Sequence, residues 1–576
     1  MHITEYEYFT LVYFQLGLND VLIGEVWLSS GQSNMEMPLK GFIPGGPVDN
    51  SAQEIANANY PAIRIFTVKR NLALEVVDTL NGQWMVCSPE SAGDFSATAY
   101  FFARKLFKEL NVPIGIINSN FGGTPVESWI SQEKILSLGE FKKELEAIKS
   151  LDRGEIQAFL SKFPTVSVPT DNQGWNNLDL RDEAFLQPAF DDSSWGKVNL
   201  PGLFEELFND TKIDGAFWFR EKVFIEDISS DCTFIIDGGI DDMDITYFNG
   251  QKIGSTNCWD CPRNYVIPKS MLVKGLNTIS IRVIDTGGPG GFKGKMLLKN
   301  MSGKEIQING EWRFNHIADI LNNKFYLYHL NPDALKTRPS GFAYASIDSS
   351  TPGILFNDMI HPLIPYKIKG AIWYQGENNV GRAEQYEKLF PSMIEDWRAR
   401  WNSDFSFYYV QIAPFNYGNE LSPALRDAQR KSLKTRNTGM VVTLDIGNPT
   451  NIHPSNKQDV AARLAGLALA NDYGKNIVAS GPLYKNYRIS GSKIILEFDY
   501  TGSGLMSKDS KLSGFEIAGA DKNYVPATAK IVGDKVQVFS LSIAKPKYAR
   551  YAWRDYCIAT LFNKEGLPAS SFTTEK

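Results

Sequence analysis

The sequence predicts an α/β domain: a parallel sheet with helices on both faces, interrupted by an inserted β-sandwich and followed by a small C-terminal β module. Two observations carry the α/β part, because apolar strands alternate with amphipathic helices over residues 21–131 and again over about 331–480. A third carries the insertion, since the chain between those stretches breaks into short strands with turn residues between them.

The elements follow in order. VLIGEVWLSSGQ is an apolar run ending in a turn and reads as a buried strand. TAYFFARKLFKEL has helical spacing of its apolar residues, and PIGIINSNFGG is a second strand, ending in glycines. The same texture returns with IKGAIWYQGENN as strand and loop, AEQYEKLFPSMIEDWRARW as helix, FSFYYVQIAPF and GMVVTLDIG as strands, and KQDVAARLAGLALA as helix. Between about Trp175 and Met301, FWFREKVFI, CTFIIDGG, DITYFNGQKIG, NTISIRVID and a GGPGG loop give the sandwich, and after Pro482 β texture resumes with KIILEFDYTGSG and AKIVGDKVQVFS. The expected boundaries are 1–131 and 331–480 for the two halves of the α/β domain, 132–330 for the insertion with its sandwich at about 170–305, and 481–576 for the C-terminal module.

Composition excludes some partners. The chain has 576 residues and a net charge of -6, from 59 Lys+Arg against 65 Asp+Glu. It offers no basic field for a phosphate backbone, so nucleic acid is not an expected partner. No apolar run approaches the roughly 20 residues of a membrane helix, and MHITEYEYFT is acidic where an export signal would be basic. Neither a membrane partner nor a signal peptide is visible. Five scattered cysteines form no disulfide framework. Cys258 and Cys261 in NCWDCP lack the second ligand pair of a zinc site and the βαβ context of a thioredoxin site, so they read as two loop thiols.

Four segments fall where predicted strands end, the side on which open parallel sheets bind ligands. Ser33 in GQSNM sits at a strand-to-helix turn, which exposes a nucleophile and brings its N–H near an incoming carbonyl; a serine N-cap has the same pattern. NFGGT, with Gly122 and Gly123, allows close backbone approach, as any tight turn does. WYQGENN, with Gln375, Glu377 and Asn378, ends a strand in amides and a carboxylate that either donate to an oxyanion or cap a helix. The fourth is NIHP. Of the histidines His2, His316, His329, His361 and His453, only His453 sits at such a strand end, which makes it the candidate base.

GEVWLSSGQSNM, NSNFGGTPVESW, GAIWYQGENN and IHPSNKQDVAARLA resemble, in this order, the blocks of the sialate O-acetylesterase family of SGNH hydrolases. GFEIAGADKNYVPATAKI, RYAW and GLPASSF resemble the C-terminal part of the same family. The resemblance covers roughly 21–131 and 330–576 and implies an SGNH-type, flavodoxin-like fold. It implies Ser33 as nucleophile and His453 as base, with an oxyanion hole from the N–H groups of Ser33 and of Gly122 or Gly123 and the side chain of Gln375. Asn34 and Asn378 in these blocks are candidate substrate contacts. The implied reaction is acetyl transfer to Ser33 and hydrolysis by water, with an acetylated carbohydrate as partner and neither metal nor organic cofactor. Where many SGNH hydrolases place an acid two or three residues before the histidine, this chain has Thr450 and Asn451. The expected arrangement is therefore a dyad oriented by a backbone carbonyl, with Asp445 or Glu377 as substitutes for the third member.

FDDSSWGKVNLPG, GAFWFREKVF and ITYFNGQKIG resemble the galactose-binding-like jelly rolls attached to glycosidases. Trp195 and Trp218 read as core, and Trp259 as a glycan contact. Relatives are usually exported, which implies a periplasmic or secreted protein. The competing readings are an esterase for acetylated xyloglucan or xylan, a noncatalytic glycan-binding protein, and a glycosidase, for which Asp241 and Asp242 read as solvated loop residues.

Overall fold

Strands β1 (Glu25–Gly31), β2 (Tyr60–Val68), β3 (Gly82–Cys87), β4 (Ile114–Asn120), β5 (Gly370–Tyr374), β6 (Ser406–Val410) and β7 (Thr438–Val441) pair into one sheet in the order β7-β6-β5-β1-β4-β2-β3. All neighbours are parallel except β2 and β3, which are antiparallel. The computed structural model describes residues 20–575 apart from 43–45, 170–171, 205–206, 208–213, 259–260, 288–289, 322, 340–341, 343–344, 419 and 510.

The register of the central strands decides where chemistry can occur. Gly31 pairs with Tyr374 on one side and with Asn120 on the other, so β1, β5 and β4 end level and release their next residues in one row. The chain leaves β1 toward β2 and β3, comes back to β4, and crosses to β5 on the opposite side, which makes β1 the point where strand order reverses. Gly31 has φ +143, and a Cβ there would lie 2.2 Å from the Tyr374 carbonyl oxygen, so only glycine fits the strand end.

Strand alternation sends successive side chains to opposite faces. Ile372 and Tyr374 join the cluster built with helices α1 (Ala97–Leu110) and α2 (Lys457–Asn471), together with Trp27, Ile116 and Val441. Trp373, between them, meets Trp129, Phe390 and Trp397 on the side of helix Ala383–Trp401.

The backbone divides into two compact units, Met1–Phe141 with Asp348–Lys576, and Lys142–Ile347. The second unit ends later than the expected 330 because Phe342 packs on Phe159 of helix Arg153–Leu160, and it starts later than 132 because Ser131, Glu133 and Lys134 pair with Asp396, Arg400 and Glu395 of the first unit. Inside it, Phe217, Phe219, Ile279, Ile281 and Val283 of one antiparallel sheet share a core with Phe234, Ile236, Met296 and Leu298 of another, so two sheets lie face to face. Trp195 and Trp218 are buried in a neighbouring cluster, and the Trp218 indole donates to Asp182 at 2.8 Å, so both act as core.

Other expectations meet a different outcome. Cys258 and Cys261 are joined as a disulfide rather than left as thiols, because strands Gln251–Asn257 and Arg263–Ile267, on either side of them, hold their Cα atoms 5.5 Å apart. Asp241 is buried against Lys293 at 2.9 Å rather than solvated, while Asp242 accepts from Thr286. Trp259 lies outside the described residues. The C-terminal strands, expected as a separate module, cluster with the α/β sheet in the first unit. Buried Arg426 of helix Ser422–Lys431 donates to the carbonyls of Ala552, Arg554 and Asp555 and to Ser571, which ties the two textures together.

Candidate active site

Ser33 opens a short helix, Ser33–Glu36, directly beyond the end of β1. Its N–H therefore has no intrahelical acceptor, and its side chain stands over the sheet edge. His453 comes from the loop between β7 and α2, and its Nε2 lies 2.9 Å from Ser33 Oγ across 420 residues of sequence. Both residues are half-buried, which leaves the pair open to an incoming ester. The Asn451 side chain accepts from the His453 backbone N–H at 2.8 Å, and Phe42 meets the imidazole edge-on at 5.4 Å.

Burial, followed by the nearby Lys457 ammonium, pushes the His453 pKa down to about 4. The imidazole is therefore neutral at pH 7, the form that can take a proton from serine. His316 pairs with Asp319, His329 bonds the carbonyls of Ile317 and Arg181, and His361 faces Asp78, so these three serve structural contacts. His2 lies outside the described residues.

The structure corrects several expected roles. Gln375 is fully buried, and its amide donates to the Thr124 carbonyl at 3.1 Å and to Asn379 at 2.6 Å. Both hydrogens are thus committed to protein acceptors, and its side chain ties loops together instead of donating to an oxyanion. Asp445 gives both oxygens to the Arg463 guanidinium, at 2.8 and 2.7 Å, so it does not orient His453. Glu377 accepts from Asn34 at 2.5 Å and likewise makes no bond to the imidazole among the described residues. Asn34 is buried and spends its amide on Glu377, the Ile452 carbonyl and Lys457, which removes it from substrate contact.

Gly122 does lie beside the nucleophile, since a Cβ on it would be 3.4 Å from Ser33 Cβ. Its N–H donates to Glu36 Oε2 at 2.6 Å, and Glu36 is paired with Arg70. Gly123 has φ +70 with open space around it, and its carbonyl accepts from exposed Asn378 at 2.7 Å. Gln32, which sequence reasoning passed over, accepts from the N–H of Gly376 at 3.1 Å and so links the first and third segments.

Lys457 is the other residue that sequence reasoning missed. It sits at the first position of α2, where the helix dipole disfavours a cation, and that misplacement was the available signal. Burial holds its pKa down to about 7, and burial also raises that of Glu377; their mutual attraction opposes both shifts.

Known proteins resemble this chain in sequence and in fold. Residues 352–474, which hold the third and fourth segments, match the family described as carbohydrate esterase, sialic acid-specific acetylesterase. The sialate O-acetylesterase of Rattus norvegicus is 24% identical over 601 residues, covering 97% of this chain and 78% of that protein. That of Homo sapiens is 30% identical over 253 residues, covering 38% of this chain and 48% of that protein. The crystal structure of a carbohydrate acetylesterase from Xanthomonas citri matches with a TM-score of 0.58 at 27% identity, covering 97% of this chain and 82% of that one. Residues 352–474 thus match a carbohydrate esterase family, and the chain is similar along nearly its whole length to sialate O-acetylesterases and, in fold, to a carbohydrate acetylesterase.

Proposed function

We propose that the protein removes O-acetyl groups from an acetylated carbohydrate, with Ser33 as nucleophile and His453 as general base. The observation that carries this is the 2.9 Å contact between Ser33 Oγ and an imidazole kept neutral by burial. His453 takes the Ser33 proton as Oγ adds to the acetyl carbonyl, then returns it to the departing sugar hydroxyl. A water, deprotonated by the same imidazole, hydrolyses the acetyl-serine and releases acetate.

The oxyanion of each addition step is met by backbone rather than by Gln375. The Ser33 N–H and the Gly122 or Gly123 N–H are the donors, and Gly122 serves once Glu36 gives up its hydrogen bond. The pair works as a dyad, with the His453 loop supplying orientation in place of a carboxylate.

The α/β domain is read as an SGNH-type, flavodoxin-like hydrolase fold and the inserted pair of sheets as a jelly roll, with the C-terminal strands completing the first unit. Likeness to sialate O-acetylesterases supports an acetylated sialic acid as substrate, with acetylated plant polysaccharide as the alternative. The test is acetate release from a panel of acetylated sialic acid, xylan and xyloglucan, with p-nitrophenyl acetate as the generic ester. Release that survives Ser33→Ala unchanged would sink the mechanism, and no release from any ester would favour a noncatalytic glycan-binding protein.

A further inference from the structure

Asn34 directly follows the nucleophile, and its side chain reaches three separate elements. Its Oδ1 accepts from Lys457 Nζ at 2.5 Å, while its Nδ2 donates to Glu377 Oε1 at 2.5 Å and to the carbonyl of Ile452, the residue before His453, at 3.0 Å. An ammonium can only donate, so it forces the amide oxygen toward itself and turns the amide hydrogens toward Glu377 and Ile452. The Ile452 carbonyl and the Glu377 oxygen both accept, so the amide hydrogens face them and the amide oxygen is left to find a donor. Lys457 is that donor, and without it the buried oxygen would lose its partner and the three-way tie one of its anchors.

Lysine is a costly choice at this place. Lys457 is 1% exposed, stands in the first turn of a helix, and meets its acidic counterpart only through the intervening amide. The Tyr374 ring, 5.4 Å from Nζ, offsets part of the lost hydration. A residue placed against local stability beside a reacting pair marks a function.

We propose that Lys457 is a positioning residue for the esterase reaction, acting through Asn34 to hold the loop of His453 against the turn of Ser33. This rests on the Ser33–His453 reading. The charged groups nearest the Ser33–His453 pair are Lys457 on α2 and Glu377 on the third segment, both bonded to Asn34, and Glu36, bonded to Gly122 and paired with Arg70; Asp445, on the stretch after β7, is neutralised by Arg463. Of these, Lys457 is the one whose charge acts on His453, and it disfavours the imidazolium.

The experiment uses the full chain carrying Lys457→Met, with kcat and KM for p-nitrophenyl acetate measured from pH 3 to 8. The expected result is a fall in kcat of about 10- to 100-fold, the scale of a small misplacement of reacting groups, with KM little changed. The acidic limb of kcat/KM should also move to higher pH, because the cation that depresses His453 is gone. A folded variant with kcat within twofold of wild type, or with reduced kcat and an unmoved limb, overturns the proposal. If circular dichroism shows that Lys457→Met does not fold, Asn34→Asp decides: it keeps an acceptor for Lys457 but loses both donors, so kcat should fall on the same scale, and an unchanged kcat overturns the proposal. Ser33→Ala separates the two readings, since its activity tests the esterase mechanism whatever Lys457→Met does.

Discussion

The two units each bury a charged cluster, and the clusters differ in how completely they are satisfied. In the β-rich unit, Asp244 accepts from Arg263 at 2.8 Å, from Thr246 at 2.7 Å and from Tyr265 at 3.0 Å, while Arg263 also donates to the carbonyls of Cys258, Cys261 and Ile240. Donors and acceptors close on themselves around a direct ion pair. In the α/β unit, Lys457 and Glu377 are bridged by an amide lying between them, and Glu377 Oε2 is buried without a partner among the described residues. A closed network fixes a fold, whereas an open one beside a serine and a histidine holds charge where a reaction can use it.

This contrast can be broken most sharply by one substitution in each unit. Ser33→Ala should lower kcat by about 10⁴-fold or more while leaving thermal unfolding unchanged, because the hydroxyl carries chemistry and little packing. Arg263→Met should do the reverse, destabilising its unit by about 3–5 kcal/mol by stranding Asp244, with hydrolysis of p-nitrophenyl acetate preserved in the folded fraction. Chemical denaturation read beside initial rates distinguishes the two. Equal losses of activity from both would show that the clusters do not differ in kind.

The pH profile sharpens the comparison further. Burial and then Lys457 lower the His453 pKa to about 4, so the imidazole is charged and inactive below that pH and neutral above it. The kcat/KM should therefore rise with pH through about 4 and be level by pH 6, where an unperturbed histidine would still be rising through about 6.5. A limb centred near 6.5 would mean that the imidazole is more hydrated than the structure shows. The smallest effect expected is that of Asp445→Asn, which leaves Arg463 partly unpaired and costs about 1–3 kcal/mol of stability. Its turnover should stay close to wild type, and a loss matching that of Ser33→Ala would restore Asp445 as a third catalytic member.

Much of this was legible in the chain itself. Strand and helix spacing revealed the α/β stretches, because periodicity of 2 and 3.6 is a local property of the sequence. The pairing of Ser33 with His453 was legible because Ser33 stands just past β1 and His453 in the loop that follows β7, and parallel strands gather their carboxyl ends on one edge. The role expected of Gln375 was not borne out, since its residue type allows donation to an oxyanion but says nothing about Thr124 and Asn379 claiming its hydrogens first. Asp445 had the right charge, yet Arg463, eighteen positions on, takes both of its oxygens.

By itself the sequence determined the order of elements and which residue types stand at the strand ends. Only the tertiary structure decided which of them meet. The level register of Gly31 with Asn120 and Tyr374, the Asn34 tie to Ile452, and the burial that strips water from Lys457 all arise from pairing between segments far apart in the chain. Hydrogen-bond partners and desolvation depend on distance in space, and no local pattern encodes that distance.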